Sequence, residues 1–184
     1  MLAGLPGNSI FPEKILNRII IETPRLQLLG ADSTVLRGEL AGRAALAQVL
    51  AAVVPVSWPP EFLDEAAVRW ALAAAEEMPA DSIWRMYYML LRHPEVIAIG
   101  TCGFKFPPDA HGCVEVGYSV LPGFQRQGLA TEAVLALMDV AARHGAREVC
   151  AQTLPDLTAS LRVMEKSGMV LTGAGSEPGA IRGA

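Results

Sequence analysis

The sequence has few charged residues, few aromatic residues and no run of basic residues. Charged residues make up 18% of the 184 residues and aromatic residues 6%, whereas hydrophobic residues make up 52%. This composition excludes a disordered chain, because enough apolar surface is present to build a large core. The net charge of −4 and the lack of a Lys/Arg-rich run exclude the electrostatic pattern of a nucleic-acid-binding protein. We therefore expect no nucleic-acid partner.

Cysteines and long apolar stretches are also scarce. The three cysteines, Cys102, Cys113 and Cys150, have no metal-ligand spacing, which predicts buried free thiols and no metal site. The longest apolar stretch, 44–56, is interrupted by Gln48 and is too short to span a bilayer. The start of the chain lacks the basic segment and the long apolar segment of a secretory signal. Residues 1–18 have little periodicity, and we interpret them as a leader. We expect a cytoplasmic protein with no membrane contact.

The apolar pattern of residues 19–184 predicts a single domain, which also fits the length of the chain. It predicts strands over 19–29, 83–91, 96–106, 113–120, 147–154 and 169–171, and helices over 31–52, 64–77, 128–144 and 158–167. This order is typical of an α/β protein of the α+β type. We expect a mixed central sheet of about six to seven strands, flanked by about four helices.

The segment 124–131, Phe-Gln-Arg-Gln-Gly-Leu-Ala-Thr, lies between a predicted strand and a predicted helix. The free N–H groups of a helix N-terminus, together with the helix dipole, favour an anion such as phosphate. A Walker-type loop needs a lysine where Leu129 stands, and the dinucleotide fingerprint needs three glycines after the first strand of the fold. Both nucleotide motifs therefore fail. An ordinary strand-to-helix connection remains the alternative to a phosphate loop.

The flanks of this loop resemble a known family. Residues 115–133, Glu-Val-Gly-Tyr-Ser-Val-Leu-Pro-Gly-Phe-Gln-Arg-Gln-Gly-Leu-Ala-Thr-Glu-Ala, resemble the acetyl-coenzyme A motif of the GNAT superfamily of N-acetyltransferases. Residues 155–169 resemble the second signature of that family, a short helix ending in Lys-x-Gly-Phe. The segments 23–28 and 58–60 resemble the branch containing ribosomal-protein N-acetyltransferases. Covering roughly residues 20–172, the resemblance implies the acyl-CoA N-acyltransferase fold, in which the sheet splays beside its fourth strand.

The resemblance implies that acetyl-CoA binds in that splayed cleft as a cosubstrate. Its pantetheine arm would pair with the backbone of one strand segment, made of Gly117, Tyr118, Ser119 and Val120. Its pyrophosphate would lie on the amides of Gln125, Arg126, Gln127, Gly128, Leu129 and Ala130, with a hydroxyl contact from Thr131. Gly117 would form a bulge, lie open to the ligand or be a plain strand glycine. The Arg126 side chain would either contact a phosphate or be solvated.

The resemblance also implies direct transfer of the acetyl group to a primary amine, on a protein N-terminus or a small molecule, in a ternary complex. Glu115 is the candidate base, directly or through water, with a purely structural carboxylate as the alternative. Ser160 would touch the cofactor or protonate the sulfur, unless its hydroxyl bonds its own helix backbone. Tyr118 would line the acyl pocket or pack within the sheet. The region Val53–Phe62 would shape the acceptor entrance, with core packing as the alternative for Trp58.

Several positions depart from the family pattern. Leu157 stands where the second signature commonly has asparagine, and Met164 where many members have a general-acid tyrosine. The tail 172–184 is short and Gly-rich, where relatives normally add a long strand. These departures keep open a second function, a non-catalytic acetyl-CoA-binding sensor or regulatory module. Homodimers are common in the resembling branch, so the resemblance allows a homodimer here.

Overall fold

The computed structural model describes residues 18–176 and 178–184, which form an open α/β sheet of eight strands with five helices. The strands are β1 (Ile20–Glu22), β2 (Leu26–Gly30), β3 (Met86–Leu91), β4 (Ile97–Phe104), β5 (Cys113–Val120), β6 (Glu148–Thr153), β7 (Leu171–Ala174) and β8 (Ile181–Gly183). The helices are α1 (Ser33–Leu40), α2 (Arg43–Leu50), α3 (Glu65–Glu77), α4 (Leu129–Arg143) and α5 (Thr158–Lys166). The predicted fold class is confirmed, with slightly more strands and helices than expected.

The strands lie in the order β1-β2-β3-β4-β5-β6-β8-β7. All neighbouring pairs are antiparallel except β5 and β6, which run parallel. A parallel pair needs a crossover connection, and α4 supplies it between β5 and β6. The sheet is therefore mixed, as predicted, and its one parallel junction lies next to the loop that opens α4.

Helices cover both faces of the sheet. Successive residues of a strand point to opposite faces, so Tyr87 and Met89 of β3 pack with α4, whereas Tyr88 and Leu90 pack with α1, α2 and α3. Two hydrophobic clusters result, one on each face. This double burial explains why β3, Met-Tyr-Tyr-Met-Leu-Leu, is a continuous apolar run.

Two elements differ from their prediction near the start of the chain. The single helix predicted over 31–52 is two helices, because Gly42 takes a φ of 104° between the end of α1 and the start of α2. That φ is costly for residues with a side chain, and the surrounding Ala- and Leu-rich sequence hides the break. The strand predicted over 19–29 is a hairpin of β1 and β2, whose turn is closed by the Thr23 N–H donating to the Leu26 carbonyl at 2.9 Å.

The tail also differs from its prediction. The last strand was expected over 169–171, but β7 begins at Leu171 and is followed by β8, which inserts between β6 and β7. The two strands have four and three residues, too short for a periodic pattern to be visible. The Gly-rich tail thus extends the sheet as a hairpin bound to β6.

Other predicted features are confirmed. Asp64 caps α3, its carboxylate accepting from the Ala67 N–H at 2.8 Å, and β5 spans Cys113–Val120.

The leader predicted over 1–18 lies outside the described residues except for Arg18, whose guanidinium donates to Asp32 at 2.8 Å. Cys113 is only partly buried, so the expectation of buried thiols holds for the other two cysteines alone. None of the helices in the described ranges has the length and apolarity that a bilayer crossing requires.

Candidate functional site

Strands β5 and β6 are paired at only one end. Cys113–Glu115 pairs with Glu148–Cys150, and beyond that point the β6 residues 151–153 pair with β8 on their other side. The segment Val116–Val120 of β5 has no strand partner on this side within the described part of the chain. A wedge-shaped gap therefore opens between β5 and β6.

Peptide groups of β5 face this gap. The Lys105 N–H donates to the Glu115 carbonyl at 3.0 Å, and the Leu121 N–H donates to the Ile99 carbonyl at 2.8 Å. Because bonding direction alternates along an antiparallel strand, the odd-numbered residues of β5 bond β4, and the amides of Tyr118 and Val120 point into the gap. The Val120 carbonyl accepts from the Gln125 side-chain amide at 2.8 Å. The two amides are free to pair with a peptide-like ligand.

The loop before α4 presents a row of amides. Within the described ranges, the amides from Arg126 to Thr131 have no backbone acceptor, and the first bonded amide of the helix is that of Glu132, which donates to Gly128 at 3.0 Å. Arg126 and Gly128 have left-handed φ values of 60° and 77°. Left-handed residues in such a turn direct successive N–H groups into one concavity, which suits an anion. The Gln125 amide differs, because it already donates to the Pro122 carbonyl at 3.3 Å.

The β1–β2 turn braces this loop. The Arg25 guanidinium donates to the Glu132 carboxylate at 2.7 Å and to the Gln127 carbonyl at 2.9 Å, and the Thr23 hydroxyl donates to Glu132 at 2.6 Å. Partial burial alone would raise the pKa of Glu132, but the hydrogen bonds from Thr23 and Arg25 outweigh it and lower that pKa. No sequence signal links two segments more than a hundred residues apart, so this brace was missed.

A cavity of about 1010 Å³ passes through the gap. On one side it is lined by the loop, the start of α4 and α5; on the other it reaches α3 and the segment before it. Most of the predicted cofactor residues line it: Gly117, Tyr118, Ser119, Val120, Gln125, Arg126, Gly128, Leu129, Ala130 and Thr131. Gln127 does not, and its side chain turns back to the Gly123 carbonyl at 3.3 Å.

Gly117 leaves the wall of the cavity open. A Cβ added at this position would meet no atom within 4 Å. The register between β4 and β5 continues through it, Gly103 opposite Gly117 and Phe104 opposite Val116. Gly117 therefore lies at an open approach and forms no bulge. The free amides and this open strand fit the pyrophosphate and the peptide-like arm of coenzyme A.

Glu115 lies behind the cavity wall. One carboxylate oxygen forms an ion pair with the Lys105 ammonium, and the other accepts from the Gln152 side-chain amide at 2.8 Å. Lys105 and Gln152 themselves line the cavity. The predicted base is thus one side chain removed from the open space, and it reaches that space through these two neighbours.

Tyr118 and Ser160 meet across the gap. The Tyr118 hydroxyl lies 2.9 Å from the Ser160 hydroxyl and donates to the Ser160 carbonyl at 3.1 Å. Burial raises the pKa of Tyr118, although its hydrogen bond with Ser160 opposes this shift. The phenol is therefore protonated at neutral pH and can donate. Met164, at the position where relatives carry a tyrosine, is buried in the core next to α4.

Thr153 is a site residue that the sequence pattern did not indicate. Its hydroxyl is buried, lines the cavity at the end of β6, and has no hydrogen-bond partner within the described residues. A buried hydroxyl without a partner costs free energy unless a ligand or water satisfies it. A threonine at the end of an apolar strand is too common to be singled out from sequence.

Trp58 is half-buried and packs against the core, and it does not line the cavity. It stacks on Tyr88 with ring centroids 5.8 Å apart, and its indole N–H donates to the Glu39 carboxylate at 2.8 Å. Burial raises the pKa of Glu39, with the hydrogen bonds from Trp58 and Tyr88 opposing this shift.

Of the region 53–62, only Glu61 and Phe62 line the cavity, and Trp70 of α3 lies beside them. The sequence did not indicate Trp70 as a site residue, because its position within a helix does not show that it faces a ligand.

Comparison with known proteins agrees with this geometry. The Acetyltransferase (GNAT) domain matches residues 37–170. No curated protein sequence is significantly similar to the chain. Among solved structures, a putative GNAT-family acetyltransferase from Bordetella pertussis is 23% identical with a TM-score of 0.64, the similarity covering 90% of this chain and 97% of that one.

Two further solved structures describe ribosomal-protein acetyltransferases. RimL, a ribosomal L7/L12 alpha-N-protein acetyltransferase in complex with coenzyme A, is 22% identical with a TM-score of 0.62, covering 90% of this chain and 96% of that one. An acetyltransferase from Salmonella typhimurium that modifies the N-terminal serine of L7/L12 is 18% identical with a TM-score of 0.61, covering 90% and 97%. At these identities the similarity concerns the fold.

Proposed function

The chain belongs to the GNAT acetyltransferase family, and from that premise we propose that it transfers the acetyl group of acetyl-CoA to a primary amine, by direct attack in a ternary complex. The amine would belong to a protein N-terminus or a small molecule, and the enzyme, acting as one domain over 19–184, would work in the cytoplasm. The RimL-like neighbours, which acetylate a ribosomal protein, support an N-terminal amine as one acceptor class.

One observation carries this proposal. A single cavity connects the amide row of the phosphate loop, on one face of the sheet, with the space beside α3 on the other face. Two substrates can therefore enter from opposite faces and meet in the gap between β5 and β6. Holding both reactants in place supplies several kcal/mol toward the barrier of a bimolecular reaction.

The chain would hold acetyl-CoA mostly through its backbone. The amides from Arg126 to Thr131 would bind the pyrophosphate, and the Tyr118 and Val120 amides would pair with the pantetheine arm. When bound, acetyl-CoA supplies the acetyl group as a thioester. A backbone N–H at Tyr118 or Val120 would also stabilise negative charge on the thioester oxygen during attack.

Proton movement would use three side chains. The attacking amine must lose a proton, and Glu115 would accept it through water, since both carboxylate oxygens are engaged and Lys105 and Gln152 stand between it and the cavity. On the other side of the gap, Ser160 would donate a proton to the departing thiolate. Tyr118 would replenish that proton by turning its hydroxyl from the Ser160 carbonyl to the Ser160 hydroxyl oxygen, 2.9 Å away, and would regain a proton from water. This pair would serve in place of the tyrosine that relatives carry at the position of Met164.

The test is turnover with a panel of amines and N-terminal peptides, measured as release of free coenzyme A. Glu115→Gln should lower kcat about 100-fold while leaving the dissociation constant for acetyl-CoA unchanged, because a general base contributes roughly 10² to 10⁴ to the rate. Glu148→Gln is the matched control, since Glu148 is also an ion-paired carboxylate on the neighbouring strand, but its partner Arg182 does not line the cavity, whereas Lys105 and Gln152 do. Equal activity of both variants would exclude Glu115 as the base.

The second candidate function is a non-catalytic acetyl-CoA-binding sensor or regulatory module. Leu157 and Met164 favour it, because both replace polar groups that relatives use. It predicts saturable binding of acetyl-CoA without coenzyme A release for any amine. Glu115→Gln would then leave every measured property of the protein unchanged.

A further inference from the structure

Resting on the proposed function, we propose that the acceptor is a primary amine carrying an aromatic or other bulky apolar group within a few bonds of its nitrogen. The acceptor half of the cavity, which lies beside α3, carries this inference. It is bounded by Phe62, Trp70, Ala67 and Ala71 on one side and by the open strand at Gly117 on the other.

Two large apolar side chains in this wall are exposed. Phe62 is 70% exposed and Trp70 49%, whereas Leu63 and Val68 beside them are buried. Exposed apolar surface grouped around a concave site marks a place where an apolar ligand or partner is bound. An amine bearing a ring would bury this surface, whereas a small polar amine would leave it in water.

The aromatic wall is held in place. Trp70 contacts Phe106 edge to face, with ring centroids 5.5 Å apart, which fixes the orientation of the indole. Fixed rings bind a flat ligand at a lower entropic cost than mobile ones.

Small residues leave room beside these rings. Ala67 and Ala71 lie one turn apart on the face of α3 that lines the cavity, and Ala71 is 8% exposed. Gly117 has open space where a Cβ would stand. The wall therefore has large residues at the mouth of the cavity and small ones further in. This arrangement leaves room for a bulky group of the acceptor next to its amine nitrogen.

The charged side chains at the mouth of the cavity favour an amine as the acceptor. Glu61 lines this half of the cavity and is exposed, so its carboxylate attracts an ammonium from solution. The ammonium of Lys105 is paired with Glu115, which reduces its repulsion of a cationic acceptor. A polar side chain on the acceptor, such as that of an N-terminal serine, would meet a mainly apolar wall and lose hydration without replacement.

The experiment compares matched amines by coenzyme A release at saturating acetyl-CoA. One arm uses 2-phenylethylamine and propylamine; the other uses the tetrapeptide amides Phe-Ala-Ala-Ala and Ser-Ala-Ala-Ala. Within at least one arm, kcat/KM should be about 10-fold to 100-fold higher for the aromatic member, the range over which an apolar pocket discriminates. The arm in which this difference in kcat/KM appears shows whether the acceptor is a free amine or a peptide N-terminus.

Variants of Trp70 test whether the aromatic wall causes the preference for an aromatic amine. Trp70→Ala should reduce the ratio of aromatic to non-aromatic kcat/KM about tenfold, mainly through KM, and Trp70→Phe should retain it. Leu135→Ala is the control, because Leu135 is exposed to a similar extent, 47%, but lies on α4 away from the cavity. 2-Phenylethanol, which has the ring but no amine, should inhibit competitively against the amine and not against acetyl-CoA.

The outcomes separate this inference from the function on which it rests. Turnover with equal kcat/KM for all amines, or an unchanged ratio in Trp70→Ala, overturns the aromatic acceptor and leaves the acetyltransferase intact. No turnover with any amine, despite saturable acetyl-CoA binding, overturns the proposed function itself. A change of oligomeric state in Trp70→Ala, with the substrate ratio unchanged, would assign the exposed rings to a contact between copies of the chain and would also overturn the inference.

Discussion

At the scale of single residues, the pair Tyr118 and Ser160 is our proposed substitute for a general-acid tyrosine. Met164 occupies the position of an expected tyrosine and is buried among apolar residues, so it provides no proton. Tyr118 reaches the same region from β5 instead of from α5, and its hydroxyl lies 2.9 Å from Ser160. Burial raises its pKa, which keeps the phenol protonated at neutral pH.

Removing the Ser160 hydroxyl should therefore slow the chemical step. We expect Ser160→Ala to lower kcat about 10-fold to 100-fold with little change in the KM for acetyl-CoA, because an acid contributes mainly in the transition state. Tyr118→Phe should lower kcat by a smaller factor. Steady-state kinetics of both variants check this, with Ser33→Ala of α1 as the control. A rise in KM alone would assign Ser160 to binding instead of proton transfer.

At the scale of elements, the loop before α4 is built by cooperation of three segments. The strand β5 delivers the chain to the loop, α4 contributes its first-turn amides, and the β1–β2 turn clamps the loop through Arg25 and Glu132. Gly128 lies in this loop directly before α4 and next to the Arg25 side chain. Its φ is 77°, and an added Cβ would lie 3.5 Å from the Arg25 guanidinium.

A side chain at Gly128 should weaken the loop. Gly128→Ala forces alanine into a left-handed conformation, which costs about 1 kcal/mol or more of folding free energy. Because the amides of this turn would hold the pyrophosphate, we expect the dissociation constant for coenzyme A to rise about tenfold, measured by calorimetry.

Gly123→Ala provides the matched control. Gly123 lies in the same connection, but an added Cβ there meets no atom within 4 Å and its φ is not left-handed. Its substitution should change neither stability nor affinity appreciably. Equal behaviour of the two alanine variants would contradict the part assigned to the Gly128 conformation.

At the scale of the whole molecule, the site depends on a sheet that is closed on one side of β5 and open on the other. The parallel pairing of β5 and β6 stops after Glu115, whereas residues 151–153 of β6 pair on their other edge with β8 of the tail hairpin. The tail hairpin therefore lies beside the gap. Its residue Ala180 lines the cavity directly.

A ligand that bridges this gap should stabilise the folded protein as a whole. At a coenzyme A concentration of about 100 times its dissociation constant, linkage predicts roughly 2.7 kcal/mol of added stability. For a domain of this size, that corresponds to a rise in Tm of about 5–10 °C. Differential scanning calorimetry with acetyl-CoA, and with adenosine as a control lacking the pyrophosphate and pantetheine, measures the shift. No rise would overturn both the enzyme and the sensor function.

Local patterns in the sequence accounted for much of this architecture. The apolar period of 3.6 in α4, the Asp64 cap of α3 and the alternation of β5 are short-range features, so their elements could be predicted. The loop at 124–131 could be recognised for the same reason, because it consists of consecutive residues. The break at Gly42 and the tail hairpin were missed, since each involves too few residues to give a period.

What the sequence by itself determined is the fold class and the position of the loop that we propose to hold the cofactor. Only the tertiary structure decided which side chains surround the gap, because those contacts join residues far apart in the chain. It placed Glu115 behind Lys105 and Gln152, and Tyr118 against Ser160. It also placed Arg25 against the loop, and Phe62 and Trp70, but not Trp58, at the cavity. Each of these contacts depends on how strands and helices pack, and packing of distant segments leaves no periodic trace in a single sequence.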